Sequence, residues 1–159
     1  MILIALGSNL PFEGSAPRAV VEAALAALER ESVHVVARSR WWSCAPVPPS
    51  EQARFVNGVV QVETMLAPRD LLETLHRVED AFGRVRTAPN AARTLDLDLL
   101  DYHGQVVNEA LILPHPRLAE RGFVLFPLAE VAPEWRHPLT GRSVAELIAA
   151  LPPQDCRLI

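Results

Sequence analysis

The chain has 159 residues, half of them hydrophobic and 21% charged, with a formal net charge of −4. That is the composition of one soluble globular domain spanning residues 1–159, and its acidic balance gives no general attraction to nucleic acid or to an anionic membrane. All 15 of its Lys and Arg positions are arginine, which excludes P-loop and Schiff-base lysine chemistry and leaves phosphate recognition to planar guanidinium groups.

Two cysteines, Cys44 and Cys156, are too few for a disulfide scaffold or a cysteine-based zinc site. The apolar start, Met1 to Leu6, is too short for a signal peptide, and no run approaches membrane-spanning length. A reducing cytoplasm is therefore the default location.

Ile2 to Leu6 reads as a buried strand closed by Gly7-Ser8-Asn9. Ser15 is placed to cap a helix with Pro17 in its first turn and Val20, Val21, Ala24, Leu25 and Leu28 at helical spacing. Val33 to Trp42 is β-rich, with Val33, Val35, Ala37, Ser39 and Trp41 on one face. Cys44 to Arg54 holds three prolines and reads as a loop. Phe55 to Glu63 is a second β-rich run in which Phe55, Asn57, Val59, Gln61 and Glu63 share a face.

Pro68 opens a helix with Leu71, Leu72, Leu75, Val78 and Phe82 as its buried stripe, and Gly83 stops it. From Thr94 to Leu99, Leu95, Leu97 and Leu99 alternate with Thr94, Asp96 and Asp98, as in a half-buried strand. Val106-Val107 and Leu111-Ile112-Leu113 suit a small hairpin. Phe123 to Val131 reads as a short helix interrupted near Pro127, and Ser143-Val144-Ala145-Glu146 is a capping box that opens a last helix before Pro152-Pro153. The order predicts an α+β fold: a ferredoxin-like βαββαβ core with an antiparallel sheet, two helices on one face, short C-terminal helices and the extra hairpin.

Asp96 and Asp98 project from one face of their strand with Cα atoms about 6.5 Å apart. Such a pair either holds hard cations or is a solvated edge that blocks strand pairing. Arg84, Arg86, Arg93, Arg117 and Arg121 flank it, suited to Mg²⁺ with a nucleotide phosphate, or else solvated at the surface. Phe55 beside Asn57 offers a stacking ring and an amide that reads a heterocycle edge, although a strand phenylalanine also serves as core. His115, between two prolines, is either a positioned phosphate contact or an exposed loop residue. Trp41, Trp42 and Trp135 are equally open between an exposed interface and buried packing.

The ordered set Gly7-Ser8-Asn9-Leu10, Phe55-Val56-Asn57, Glu79 with Gly83-Arg84-Val85-Arg86, Arg93-Thr94-Leu95-Asp96-Leu97-Asp98, Pro114-His115 and Arg121-Gly122-Phe123 resembles the 6-hydroxymethyl-7,8-dihydropterin pyrophosphokinases of folate biosynthesis. The resemblance runs from about Ile2 to Pro133. It implies transfer of pyrophosphate from ATP, as co-substrate, to the pterin hydroxymethyl group. It implies two Mg²⁺ ions on Asp96 and Asp98, and a pterin site formed by Cys44, Ala45, Pro46, Phe55, Asn57 and Phe123. His76, Glu79, Arg93, Leu99, His115 and Arg121 fall at its ATP-site positions. Arg84, Arg86 and Arg93, with the two aspartates, fall at its catalytic positions, the first two at the root of a loop that closes over the reactants. Small-molecule substrates, a monomer and a cytoplasmic setting without nucleic acid or membrane follow. Other readings of the same residues are a small-ligand module or another Mg²⁺-dependent transferase. The chain departs from the family in its shorter Thr87–Ala92 segment without tryptophan, in Pro116, and in Ala110.

Overall fold

The computed structural model describes residues 1–86 and 88–159. In chain order the elements are β1 (Ile2–Ser8), α1 (Pro17–Arg30), β2 (His34–Arg38), β3 (Trp42–Cys44), β4 (Phe55–Glu63), α2 (Pro68–Ala81), β5 (Asp96–Tyr102), β6 (Val107–Asn108), β7 (Ile112–Leu113), α3 (Gly122–Val131), α4 (Val144–Ala149) and β8 (Cys156–Leu158). The main sheet runs β5-β1-β4-β3-β8, with β2 also on β4, and every pairing within it is antiparallel. β6 and β7 form the expected hairpin.

The β-rich run from Val33 to Trp42 is two strands rather than one. The break falls at Ser39, whose N–H donates to the Val59 carbonyl at 2.9 Å and whose hydroxyl accepts from the Val59 N–H at 3.0 Å. These bonds keep the chain on β4 while it turns from β2 to β3.

Helices α1 and α2 cover one face. Their stripes, Val20, Val21, Ala24, Leu28, Leu71, Leu75 and Val78, pack with Ile4, Leu6, Val60, Leu97 and Leu99. Each fully buried side chain of this size contributes about 1.5–3 kcal/mol relative to exposure. Gly83 follows α2 at φ +76°, where a Cβ would stand 2.6 Å from the Phe12 ring, so the stop signal also fits a close contact. The first helix is capped differently from expectation. Ala16 is its N-cap, while Ser15 exchanges backbone hydrogen bonds with Phe12 at 2.9 and 3.0 Å.

The short C-terminal helices lie on the opposite face. α3 and α4 bury Val124, Leu125, Leu128, Val144 and Leu147 against Leu3, Ala5, Val59 and Leu100. Pro127 does not interrupt α3, which runs unbroken through Val131. Buried apolar neighbours on both sides of Pro127 hold that helix against the sheet. The capping box forms, with Ser143 Oγ accepting from Glu146 N–H at 3.1 Å.

Two features position the site. A register shift opposite Leu3 and Ile4 makes Leu100 an extra residue in β5, so Leu100 and Asp101 both face the α3 layer. The same strand face therefore runs from Asp96 and Asp98 at its open end into apolar core. The second feature is β8, which pairs with β3 and joins Cys156 to Cys44 in a disulfide. The two cysteines make a single cross-link between strands.

Candidate active site

Asp96 and Asp98 stand at the start of β5, where Leu95, Leu97 and Leu99 on the other face are 0–3% exposed. Burial of those leucines forces the two carboxylates outward onto the second face. Asp96 is held on both oxygens: Arg84 Nη1 donates to Oδ1 and Arg93 Nη1 to Oδ2, each at 2.9 Å. Behind them sits Glu79, only 2% exposed. It accepts from Arg84 Nη1, Arg86 Nη2 and the backbone N–H of Leu97, each at 2.8 Å. A buried carboxylate with two guanidinium partners and an amide is a satisfied anchor. It raises Arg86's affinity for its proton, the hydrogen bond being the main cause.

Asp98 has a different environment. Its nearest cations are Arg121 Nη1 at 3.7 Å and the His115 ring at 3.9 Å, beyond hydrogen-bond length. Burial, and then the charge of Asp96, lift its carboxyl to about 7, with Arg121 and Arg93 opposing. Burial, and then Arg121, push the His115 imidazole down to about 4, so the ring is neutral at pH 7. His115 Nδ1 accepts from the Arg117 N–H at 3.2 Å, which assigns the ring proton to Nε2, the atom facing Asp98.

These carboxylates fit a hard divalent cation: both are oxygen donors, and their mutual repulsion is relieved by positive charge between them. Among the described residues no group of three or more His, Cys, Asp or Glu converges as a complete metal cage. A cation here would take its remaining ligands from phosphate oxygens and water, as Mg²⁺ does.

Beside the pair opens a cleft lined by Gly7, Ala45, Pro46, Val47, Phe55, Asn57, Asn90, Ala91, Arg93, Asp96, Arg121 and Phe123. Asn57 is 6% exposed and its Oδ1 has no hydrogen-bond partner among the described residues. A buried acceptor of this kind asks for a ligand donor. The Arg121 guanidinium lies over the Phe123 ring at 5.3 Å.

Most of the sequence-predicted residues meet here. Ala45, Pro46, Phe55, Asn57, Phe123, Arg93, Asp96 and Arg121 line the cleft, and Asp98 and His115 adjoin it. Cys44 is occupied in the disulfide, Leu99 is buried in the helix-side core, and His76 is exposed on α2 outside the cleft lining. Pro116 and Ala110 are exposed. Of the short segment, Thr87 lies outside the described residues; Ala88 to Ala91 make a turn, with Asn90 at φ +60°.

Sequence reasoning gave no role to Asn9. Its Oδ1 accepts from the Arg93 N–H at 2.8 Å, and its Nδ2 donates to Gln52 and to the Ala53 carbonyl. The Arg93 carbonyl accepts from the Asn9 and Leu10 N–H groups at 3.0 and 3.1 Å. An Asn after a strand-ending Gly-Ser was the one available signal.

An antiparallel α+β domain that sets an arginine-ringed carboxylate pair beside an aromatic cleft defines a phosphate-handling transferase of the ferredoxin-like class. Comparison makes this specific. The sequence pattern of the 7,8-dihydro-6-hydroxymethylpterin-pyrophosphokinase (HPPK) family matches residues 3–133, and the chain belongs to that family. It is 44% identical over 153 residues to a 2-amino-4-hydroxy-6-hydroxymethyldihydropteridine pyrophosphokinase of Pseudomonas aeruginosa, covering 95% of this chain and 91% of that one. It is 36% identical over 159 residues to the protein of that name from Synechocystis, covering 99% and 77%. Among solved structures, an HPPK-DHPS of Plasmodium falciparum superposes with a TM-score of 0.75 at 13% identity, covering 93% of this chain and 42% of that one, a likeness of fold.

Proposed function

We propose that Asp96 and Asp98 hold two Mg²⁺ ions and that the cleft seats the pterin between Phe55 and Phe123. The reaction is the family's: pyrophosphate passes from ATP to 6-hydroxymethyl-7,8-dihydropterin, giving AMP and the pterin diphosphate in folate biosynthesis. The hydroxymethyl oxygen bonds to the β-phosphorus, the bond from that phosphorus to the α,β-bridging oxygen breaks, AMP leaves, and the hydroxyl proton passes to solvent. The observation that carries the assignment is the adjacency of the carboxylate pair to an aromatic cleft holding an unpartnered buried amide oxygen.

Bound Mg²⁺ supplies neutralisation of phosphate charge at the reacting end. The chain's own residues position and stabilise. Asn57 Oδ1 accepts from the pterin edge, and the phenylalanine rings fix the ring plane. Arg86, Arg93 and Arg121 supply guanidinium donors to the triphosphate, Arg84 holds its charge beside Asp96 from its seat on Glu79, and the neutral His115 offers its Nε2–H. Ala45 and Pro46 form the pterin rim, with the Cys44 disulfide behind them, while Glu79 anchors Arg84 and Arg86 and Leu99 supports β5 from the helix-side core; His76 is left on the exposed face of α2. The chain acts as one domain on small molecules, the cleft being built from β1, β4, β5 and the segments that flank them. Among the described residues no helix is long and apolar enough to cross a membrane.

The test is AMP release from ATP and Mg²⁺ with and without the pterin. Pterin-dependent AMP is the expected result. Asp98→Asn should cut the rate about 10³-fold or more while pterin affinity stays within about threefold. Full turnover in that variant would refute the metal assignment.

A further inference from the structure

Asp96 and Asp98 are unequal in a way that bears on how a cation reaches them. Asp98 receives no hydrogen bond among the described residues, whereas both oxygens of Asp96 are taken by guanidinium groups at 2.9 Å. A divalent cation approaching Asp96 in this state meets two positive charges already seated on the carboxylate it needs.

The two arginines are anchored differently. Arg84 is 11% exposed, and besides Asp96 its Nη1 reaches Glu79 Oε2 at 2.8 Å and the Leu95 carbonyl at 3.1 Å. Released from Asp96, it keeps two acceptors. Arg93 has its backbone clamped by Asn9, but its side chain is 25% exposed, lines the cleft, and has Asp96 as its one ion-pair partner among the described residues. Its guanidinium can swing toward the cleft while its Cα stays fixed.

We infer that Arg84 and Arg93 act as placeholders for the metal on Asp96, and that a divalent cation takes that carboxylate only when phosphate oxygens draw Arg93 away and Arg84 falls back on Glu79. This rests on the reading of Asp96 and Asp98 as the metal pair. It makes Glu79 a positioning residue: it touches neither substrate nor metal, and it keeps Arg84 charged-paired through the exchange. It also makes nucleotide and metal binding cooperative, because the phosphates remove the competitor for the metal's ligand.

The experiment is Mn²⁺ binding to the whole chain without nucleotide, read from the free-ion electron paramagnetic resonance signal. The wild type should bind weakly. Arg93→Gln and Arg84→Gln should each bind about tenfold more tightly or better, the scale of one lost charged hydrogen bond to the competing carboxylate. Arg121→Gln, which removes a cation 3.7 Å from Asp98 without freeing a hydrogen-bonded oxygen, should gain much less. Arg93→Gln, on the cleft side, serves if Arg84→Gln does not fold.

An equal gain in Arg121→Gln would mean general charge repulsion and would overturn the inference. So would a wild type that binds Mn²⁺ as tightly as the two variants, with Asp98→Asn abolishing it; in that case the metal pair stands and the handover falls. If no protein binds Mn²⁺ even with a non-hydrolysable ATP analogue, the metal assignment itself fails and takes this inference with it.

Discussion

Asn57 combines deep burial with an acceptor that no described residue satisfies, and its Nδ2 reaches the Leu6 carbonyl only at 3.5 Å. Gly7 permits this placement, because a Cβ there would stand 2.8 Å from that Nδ2. An unpaired buried polar group costs about 1–3 kcal/mol, which a pterin donor would offset. Asn57→Ala should therefore weaken pterin binding roughly 10- to 100-fold by calorimetry without lowering the unfolding midpoint. His137 makes a case away from the site. Burial pushes its imidazole below the ordinary 6.5, with Asp101 opposing, and its Nδ1 accepts from the Leu139 and Thr140 N–H groups. The unfolded chain then takes a proton first as pH falls below 6.5, so stability present above that pH is lost on acidification. His137→Asn, which can still accept, should lose less midpoint in urea between pH 7 and pH 5 than the wild type. Residue identity at the site was legible where period 2 applied: Asp96 with Asp98, and Phe55 with Asn57, do share faces. The burial of Glu79 was not, because helical spacing names neighbours and says nothing of a strand amide, Leu97 N–H, arriving from elsewhere in the chain.

At the scale of elements, the long amphipathic ones declared themselves. α2 carries its leucine stripe and a glycine stop within one window of sequence, and β4 its alternation. What escaped were elements fixed by distant partners. Cys156-Arg157-Leu158 is too short for periodicity and follows two prolines, and it is a strand only because β3 offers a free edge. The placement of α3 over β4 likewise depends on which face of the sheet remained bare, and no local pattern records that. β8 is also tied by Arg54, which donates to the Ser43 hydroxyl at 2.8 Å and pairs with Asp155 at 3.0 Å. The disulfide closes a separation of 112 residues. A cross-link over so long a loop typically stabilises by about 2–4 kcal/mol, mainly through the unfolded chain. Adding reductant should lower the unfolding midpoint of the wild type and leave Cys156→Ser unchanged. Equal midpoints with and without reductant in the wild type would mean the cross-link contributes nothing.

Across the whole molecule, the sheet is a middle layer. Helices α1 and α2 lie on one side and α3 and α4 on the other, and both clusters draw on β1, in which every residue is buried. The second face stays uncovered only at its open end, where Gly7, Asn57 and Asp96 meet the cleft. Strand β1 lies between β4, which carries Phe55 and Asn57, and β5, which carries the carboxylates. Opening any amide of β1 to solvent thus requires both layers and both neighbours to part, which is close to global unfolding. Amide hydrogen exchange should accordingly be slowest along Ile2–Leu6 and should track the global stability, whereas the exposed turn at Ala88–Asn90 should exchange by local opening. The residues proposed for the pterin and those proposed for the metal are thereby fastened to strands on opposite edges of β1, and the distance between them is set before either ligand arrives. Whatever moves during turnover moves around that ruler.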